Sequence, residues 1–139
     1  MMISMLLALT FFVLAAVHYH WAFGGTFGFD AAIPTRENGE KLMNPGWKEC
    51  VIVGLGLTAF GLFYVLRSGF FSYQLPKGIQ LIAGWGIPLI FLLRAVGEFR
   101  YVGFFKRLKT TPFAKWDTML FSPLCLVLGF LGLVLQIAR

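Results

Sequence analysis

The sequence predicts an all-α fold, an integral membrane four-helix bundle in a single transmembrane domain over residues 1–139. Hydrophobic residues make up 58% of the chain and charged residues only 13%, as expected for a protein that lies mostly in lipid. Four apolar stretches, at about residues 2–23, 47–66, 77–97 and 116–138, are each close to the roughly 20 residues that a helix needs to cross a bilayer. Runs such as residues 89–93 do not alternate between polar and apolar positions, which excludes the strands of a closed barrel.

The first span ends in two histidines. No Lys or Arg precedes Arg36, so the segment reads as a retained helix rather than as a cleaved signal peptide. His18 and His20 point about 200° apart on a regular helix, and one helical segment therefore cannot hold an ion with both. We expect His18 to face inward, with Glu98 or Asp117 as its partner. A histidine beside a carboxylate is suited to proton transfer near neutral pH.

Loop one, which follows the first span, is long and rich in turn-forming residues. Its segment 21–29 alternates aromatic residues with glycines. It either folds back as a cap over the polar residues or forms a disordered interfacial loop. Loop two is short, so we expect the second and third spans to pack as an antiparallel hairpin. Cys50 and Cys125, in the second and fourth spans, are expected to be buried thiols without a disulfide.

The end of the third span carries the most informative pair of charged residues in the sequence. Arg94 and Glu98 are four residues apart, which predicts an ion pair on one helix face, with Tyr101 on the same face if the helix continues. Ionisable residues at the edge of a span usually face the bundle interior and have a partner. The pair either ties the third helix to its neighbours or handles a ligand or a proton.

Asp117 opens the predicted fourth span, where it is expected to be an N-cap or first-turn acid beside Arg100 or Arg94. Because successive spans run in opposite directions, the polar ends of all four spans meet at one membrane face. That face is the predicted ligand site, and its candidate residues are His18, Arg94, Glu98, Arg100, Tyr101 and Asp117.

The basic residues predict the orientation. Loops one and three, with their flanks, carry Arg36, Lys41, Lys48, Lys106, Arg107, Lys109 and Lys115, against Arg67, Lys77 and Arg139 on the other side. This bias predicts a protein of the cell (inner) membrane with loops one and three in the cytoplasm and both termini outside. The net charge of +6 fits contact with anionic lipid headgroups rather than with nucleic acid, because the basic residues flank membrane spans.

The sequence contains no nucleophile elbow, phosphate loop or zinc motif. A haem or metal would need a second ligand on another span, and no histidine other than His18 and His20 is present. We therefore predict no metal and no cofactor. Catalytic residues cannot be assigned, which leaves open whether the protein is an enzyme.

Three stretches resemble a known family when taken together. They are residues 18–25 (HYHWAFGG), residues 94–107 (RAVGEFRYVGFFKR), and residues 113–117 (FAKWD) through 122–125 (SPLC). They resemble a family of small bacterial four-span membrane proteins labelled as a domain of unknown function (3995), over nearly the whole chain. The resemblance implies no activity. It does imply that the three stretches meet in space at the polar face.

Two functional hypotheses follow. In the first, the polar face is a pocket for a lipid-like, aromatic or anionic small molecule, whose head Arg94 and Arg100 hold while Glu98 and His18 exchange protons. In the second, the protein is an accessory or structural subunit that packs against another membrane protein, or against a second copy of itself, and the polar cluster is an internal clamp. A transporter is a third, weaker hypothesis, since four spans without repeats would have to act as an oligomer.

Overall fold

The computed structural model describes residues 1–138, so Arg139, counted above for the orientation, lies outside the described residues. The helices are α1 (Met2–Ala22), α2 (Phe29–Ala32), α3 (Trp47–Arg67), α4 (Lys77–Val96), α5 (Pro112–Trp116) and α6 (Ser122–Ile137), with a π-helical turn, Asp117–Phe121, joining α5 to α6. Within residues 1–138 the only β-type pairing is an isolated bridge between Thr35 and Lys41. The predicted all-α class is confirmed.

Four helical segments are long and apolar enough to cross a membrane: α1, α3, α4 and the continuous segment Pro112–Ile137. The protein is an integral membrane protein. The first three spans lie within about a residue of the predicted bounds. The fourth begins four residues before the predicted position 116, because Thr111 caps it. The Thr111 side chain accepts a hydrogen bond from Ala114 N, and Pro112 occupies the first turn, where its missing N–H costs nothing.

The helices pair differently from the prediction. The expected hairpin of the second and third spans was wrong, because α1 packs mainly against α3 and α4 mainly against α6. The first pairing follows from small residues on α3. The ring of Tyr19 lies against Gly54 and the ring of Phe12 against Gly61, in space that a methyl group would fill. Contact between α3 and α4 includes the ring pair of Phe60 and Phe91, whose centroids are 6.2 Å apart.

Aromatic side chains join three spans in the core. Phe11 of α1 stacks on Tyr64 of α3, with centroids 5.7 Å apart and planes 11° from parallel. The same ring meets Phe60 edge-on at 5.8 Å and Phe91 of α4 at 5.2 Å. Such ring pairs stabilise by about 0.5–1.5 kcal/mol each beyond the area that they bury.

Loop one is folded rather than an open interfacial loop. Trp21 Nε1 donates to Phe27 O at 2.7 Å, and the Phe29 ring lies edge-on to Trp21 at 5.7 Å. Its helix α2 packs against α5, so loop one and the start of the fourth span are in contact. Loops one and three therefore lie at one end of the bundle, as the alternating direction of the spans predicts.

The other end of the bundle is held by an arginine. Arg67, in the last turn of α3, donates to Gln136 Oε1 at 2.6 Å and to Leu135 O at 2.8 Å. These bonds satisfy a carbonyl at the end of α6, which has no partner within its own helix. They join α3 to α6 at the end away from loops one and three.

Candidate functional site

A closed loop follows α4. The helix ends at Val96, and Gly97 then adopts a left-handed conformation with φ +80°. Glu98 therefore lies beyond the helix, and its carboxylate turns back on the loop. Its Oε1 accepts hydrogen bonds from the backbone N–H groups of Arg100, Tyr101 and Val102. Such a carboxylate satisfies a nest of amides that would otherwise need water.

This geometry corrects the prediction of an ion pair between Arg94 and Glu98. The prediction assumed that the helix continues through both residues, which would place them on one face. Because Gly97 redirects the chain, the two side chains diverge, and within residues 1–138 they form no ion pair. Glu98 organises its own loop instead.

The neck of the closed loop is formed by two glycines. Gly97 and Gly103 pack backbone against backbone, and a Cβ atom on Gly103 would lie 2.6 Å from the Gly97 Cα. Gly103 also has a left-handed backbone, with φ +89°. The loop closes onto the helix when Phe104 N donates to Ala95 O at 2.8 Å. Residues 97–103 therefore return the chain to the end of α4 with no room for a side chain at the neck.

Asp117 is the centre of a buried ionic cluster, which we call the clamp (Arg94, Lys106 and Asp117). The Asp117 side chain is fully buried. Its Oδ1 accepts from Arg94 Nη2 at 2.9 Å, and its Oδ2 accepts from Gly103 N at 2.8 Å and lies 3.1 Å from Lys106 Nζ. One carboxylate thus joins α4, loop three and the fourth span.

Lys106 is the clamp member that the sequence did not reveal. It was counted only as one of the basic residues that set the orientation, yet its side chain is 1% exposed. Besides Asp117, its ammonium donates to Gly103 O at 3.0 Å and to Thr118 Oγ1 at 2.5 Å, so its three donors are satisfied. No signal in the sequence marks Lys106, because its burial depends on where loop three returns over the end of α4.

Asp117 is neither the N-cap nor a first-turn acid of the fourth span, because the helix already begins at Pro112, but its predicted position beside Arg94 is confirmed. It lies inside the continuous fourth span, at the start of the π-helical turn Asp117–Phe121. Ser122 N donates to Asp117 O, five residues back, and the next residue, Pro123, has no N–H to continue the regular ladder. The widened turn holds the Asp117 carboxylate on the side of the fourth span that contacts α4 and loop three.

The clamp carries two cations and one anion, and it leaves hydrogen-bonding capacity unused. Arg94 Nη1 is buried without a partner in residues 1–138, and so is the Ser122 hydroxyl one turn after Thr118. The Arg94 side chain as a whole remains 32% exposed. The arrangement fastens helices together and offers no exposed acid or base, because the Asp117 carboxylate is enclosed by its donors.

A second feature, separate from the clamp, is an open cavity of about 850 Å³ that we call the arginine basin. Three arginines line it, Arg36 from loop one and Arg100 and Arg107 from loop three, together with Glu37, Asn38, Glu98, Phe99, Tyr101 and Leu108. The backbone holds its wall in shape, since Arg107 N donates to Phe99 O at 3.1 Å and Leu108 N to Arg100 O at 2.9 Å.

A third feature is a cavity of about 470 Å³ between α1, α3 and loop one, which we call the His18 cavity. His18 lines it and donates through Nδ1 to Leu14 O at 2.8 Å. The predicted pairing of His18 with Glu98 or Asp117 is not formed, because Glu98 lines the arginine basin and Asp117 lies in the clamp. His18 lies near Trp21 instead, with ring centroids 4.8 Å apart.

The six residues predicted as one ligand site therefore lie in three places. Arg94 and Asp117 belong to the clamp, Glu98, Arg100 and Tyr101 to the arginine basin, and His18 to its own cavity. Arg36 and Arg107 were missed as basin residues. No spacing in the sequence signals them, since only the contact of loops one and three brings them together. Cys50 and Cys125 are free and buried.

Comparison with known proteins supports one relationship. The family described as "Protein of unknown function (DUF3995)" matches residues 11–132, a range that contains the clamp, the arginine basin and His18. This confirms the resemblance seen in the sequence. No curated protein and no solved structure matches the chain.

Proposed function

The chain belongs to the DUF3995 family of proteins of unknown function, and we propose a function from its geometry. We propose that the protein binds an anionic, lipid-like molecule in the arginine basin. Arg100 and Arg107 would hold a phosphate-bearing headgroup, together with Arg36. The observation that carries the proposal is that three arginines from two distant loops line one cavity.

The charges in the basin favour an anion. Three arginines outnumber the two carboxylates of the lining, Glu37 and Glu98, and Glu98 Oε1 already accepts from three backbone N–H groups. Arg36 is 3.9 Å from Glu40, whereas within residues 1–138 neither Arg100 nor Arg107 has a carboxylate at ion-pair distance. The Arg100 guanidinium lies over the Tyr101 ring at 5.0 Å, which fixes its position without neutralising it. Planar guanidinium groups match the oxygen geometry of phosphate better than lysine ammonium groups do.

The apolar part of the lining favours a lipid over a soluble anion. Phe99 is 56% exposed at the basin, directly after the end of a membrane span, and its ring lies 6.5 Å from the exposed ring of Phe105. Phe99 is also the one residue other than glycine, within residues 1–138, with a left-handed backbone, at φ 71°. Such a conformation costs a residue with a side chain about 1–2 kcal/mol. A strained residue that presents a ring at headgroup depth supports contact with an amphiphile.

We propose the orientation from the excess of Lys and Arg in loops one and three. The protein would lie in the cell (inner) membrane, with loops one and three and the arginine basin in the cytoplasm. Burial of Lys106 in the clamp removes one free positive charge from loop three, but Lys109 and Lys115 remain exposed there. Alkaline phosphatase, which is active only outside the cytoplasm, should be active when fused to the C terminus and inactive when inserted after Asn38. The reverse pattern would overturn the orientation.

Lipid selectivity is the measurement that tests the proposed binding. Native mass spectrometry of the detergent-solubilised protein, titrated with phosphatidylglycerol or phosphatidylcholine, should show more adducts with the anionic lipid. The double variant Arg100→Ala/Arg107→Ala should reduce that preference about 10- to 30-fold, since each basic residue contributes about 1 kcal/mol to attraction for anionic lipid. Inorganic phosphate should not compete if the lipid chains contribute.

A matched control removes the same charge close by. Lys109→Ala/Lys115→Ala also removes two positive charges, one from loop three and one from α5, but neither lysine lines the basin. The control should keep the preference for phosphatidylglycerol. If both double variants lose it equally, the attraction is general surface charge and the basin is not a site. A co-purified polypeptide in place of lipid would favour the accessory-subunit hypothesis, for which the clamp would be the internal fastening.

A further inference from the structure

The His18 cavity is a second feature built like a ligand site, and it does not depend on the arginine basin. Its volume of about 470 Å³ falls within the range of about 300–1,000 Å³ that is usual for small-molecule sites. The lining is mostly apolar, from Trp21, Phe29, Ile33 and Val53, and it lies between the last turn of α1 and the first turns of α3. Apolar walls with a few placed polar groups are typical of sites for apolar molecules that carry one polar group.

The polar side chains of the cavity differ in which of their hydrogen-bonding atoms have no protein partner. Glu49 uses Oε2 to accept from Gly46 N at 2.8 Å, which caps the start of α3. His18 uses Nδ1 to donate to Leu14 O. A neutral imidazole that donates through Nδ1 carries a lone pair on Nε2. Within residues 1–138 no protein group bonds His18 Nε2, so this nitrogen is an unused hydrogen-bond acceptor next to the Trp21 ring; Glu49 and Asn44 contribute the other polar side chains of the lining.

The aromatic walls define the rest of the occupant. Trp21 meets the His18 ring at 4.8 Å and the Phe29 ring edge-on at 5.7 Å, and the Trp21 N–H is already used by Phe27 O. The indole therefore presents only its apolar surface. Aromatic rings favour edge-to-face or offset contact with another ring. Loop one contributes Phe29 and Ile33 and so forms the cover of the cavity.

From these groups we infer that the His18 cavity binds a membrane-dissolved phenolic compound, an apolar molecule whose aromatic ring carries a hydroxyl group. The hydroxyl donates to His18 Nε2, the ring packs against Trp21 and Phe29, and an alkyl tail leads towards the bilayer. The site lies at the same membrane face as the arginine basin but shares no lining residue with it. The proposed phenol site is therefore independent of lipid binding in the arginine basin.

Two probes that differ only in whether they carry a hydroxyl donor test this assignment. The probes are a bromine-bearing alkylphenol and its methyl ether, added to the protein in nanodiscs, with bromine quenching a nearby indole. The substitutions Trp47→Phe, Trp85→Phe and Trp116→Phe, at positions that are 62%, 41% and 47% exposed, leave Trp21 as the one tryptophan of the chain, which is excited selectively at wavelengths that tyrosine does not absorb. The phenol should half-quench Trp21 at a concentration about 3- to 10-fold lower than the ether, as one net hydrogen bond implies.

Three variants locate the effect. His18→Phe should keep the ring contact with Trp21 and abolish the difference between the two probes. His20→Phe is the matched control, an exposed histidine two residues away that does not line the cavity, and it should keep the difference. Ala32→Trp fills the cavity from its lining and should abolish saturable quenching by both probes.

The comparison of the two probes is made on the protein that carries only the three Trp→Phe substitutions, so it does not depend on how the His18→Phe, His20→Phe or Ala32→Trp variants fold. Equal half-quenching by phenol and ether would overturn the proposal, because the cavity would then hold any apolar chain. A difference that survives His18→Phe would also overturn it, as would quenching that Ala32→Trp leaves unchanged.

Discussion

Replacing Asp117 with asparagine is expected to lower the free energy of unfolding by at least about 3 kcal/mol, because removal of one partner from a buried ion pair typically costs 3–5 kcal/mol. Asparagine fits the same space, but it offers one acceptor oxygen where Arg94, Gly103 and Lys106 all donate. Its amide nitrogen would face donors, and the buried Lys106 and the partly exposed Arg94 would lose their only counter-charge among residues 1–138. Equilibrium unfolding in mixed micelles with increasing dodecyl sulfate, followed by tryptophan fluorescence, measures the change.

Asp30→Asn is the matched control for this prediction. Asp30 is also paired with a lysine, Lys41, at 2.7 Å, but its side chain is 83% exposed. Exposed pairs contribute about 0–1 kcal/mol, so this variant should unfold almost like the original. Adding Lys106→Met to Asp117→Asn should recover part of the loss, since it removes one of the stranded charges. If Asp117→Asn destabilised no more than Asp30→Asn, the clamp would not hold the helices together.

Gly97→Ala is expected to be the second large effect, at about 3 kcal/mol or more. A left-handed backbone costs alanine about 1–2 kcal/mol, and overpacking against fixed atoms adds about 1–3 kcal/mol. The added methyl group would overlap the carbonyl oxygen of Val102, and it would come 2.7 Å from the Gly103 Cα. Since these are backbone atoms, the neck of the closed loop must open. The same unfolding titration gives the loss.

Gly24→Ala is the control that separates the cost of the left-handed backbone from the cost of overpacking. Gly24 has a similar backbone, with φ +90°, but no atom lies within 4 Å of the position that its Cβ would take. It should therefore lose only the conformational part, about 1–2 kcal/mol. Gly97→Ala should also weaken the preference for phosphatidylglycerol, because the loop that it opens carries Arg100. Equal stability of the two alanine variants would mean that the neck is not tightly closed.

The sequence was sufficient for the spans, because lipid imposes both their length and their apolar composition. It was also sufficient for the face at which polar residues gather, since that follows from the alternation of span direction. It misplaced the start of the fourth span because residues 112–115 lack the apolar signal. There the evidence is a cap, Thr111, followed by Pro112, a pattern that is readable but was not used.

The arrangement within the polar face could not be predicted from spacing. The pairing of Arg94 with Glu98 assumed an unbroken helix, and a single left-handed glycine was enough to separate them. The burial of Lys106 depends on where loop three returns over the end of α4, which is a tertiary contact. The arginine basin likewise requires loops that are far apart in sequence, and the pairing of α1 with α3 rather than α3 with α4 depends on packing of rings onto glycines.

The clamp also bears on how the chain assembles. Arg94 is 23 residues from Asp117 and Gly103 is 14, so the contacts that neutralise the charges all lie within the C-terminal half of the chain. The half of the protein from α4 to α6 can therefore complete its ionic contacts before it meets α1 and α3, which pair with each other. Contacts between residues that are closer in sequence form faster. Arg94 of the third span can therefore be neutralised by Asp117 as soon as the fourth span has inserted. These contacts favour an assembly in which α1 pairs with α3 first and α4 pairs with α6 afterwards, in the order of synthesis.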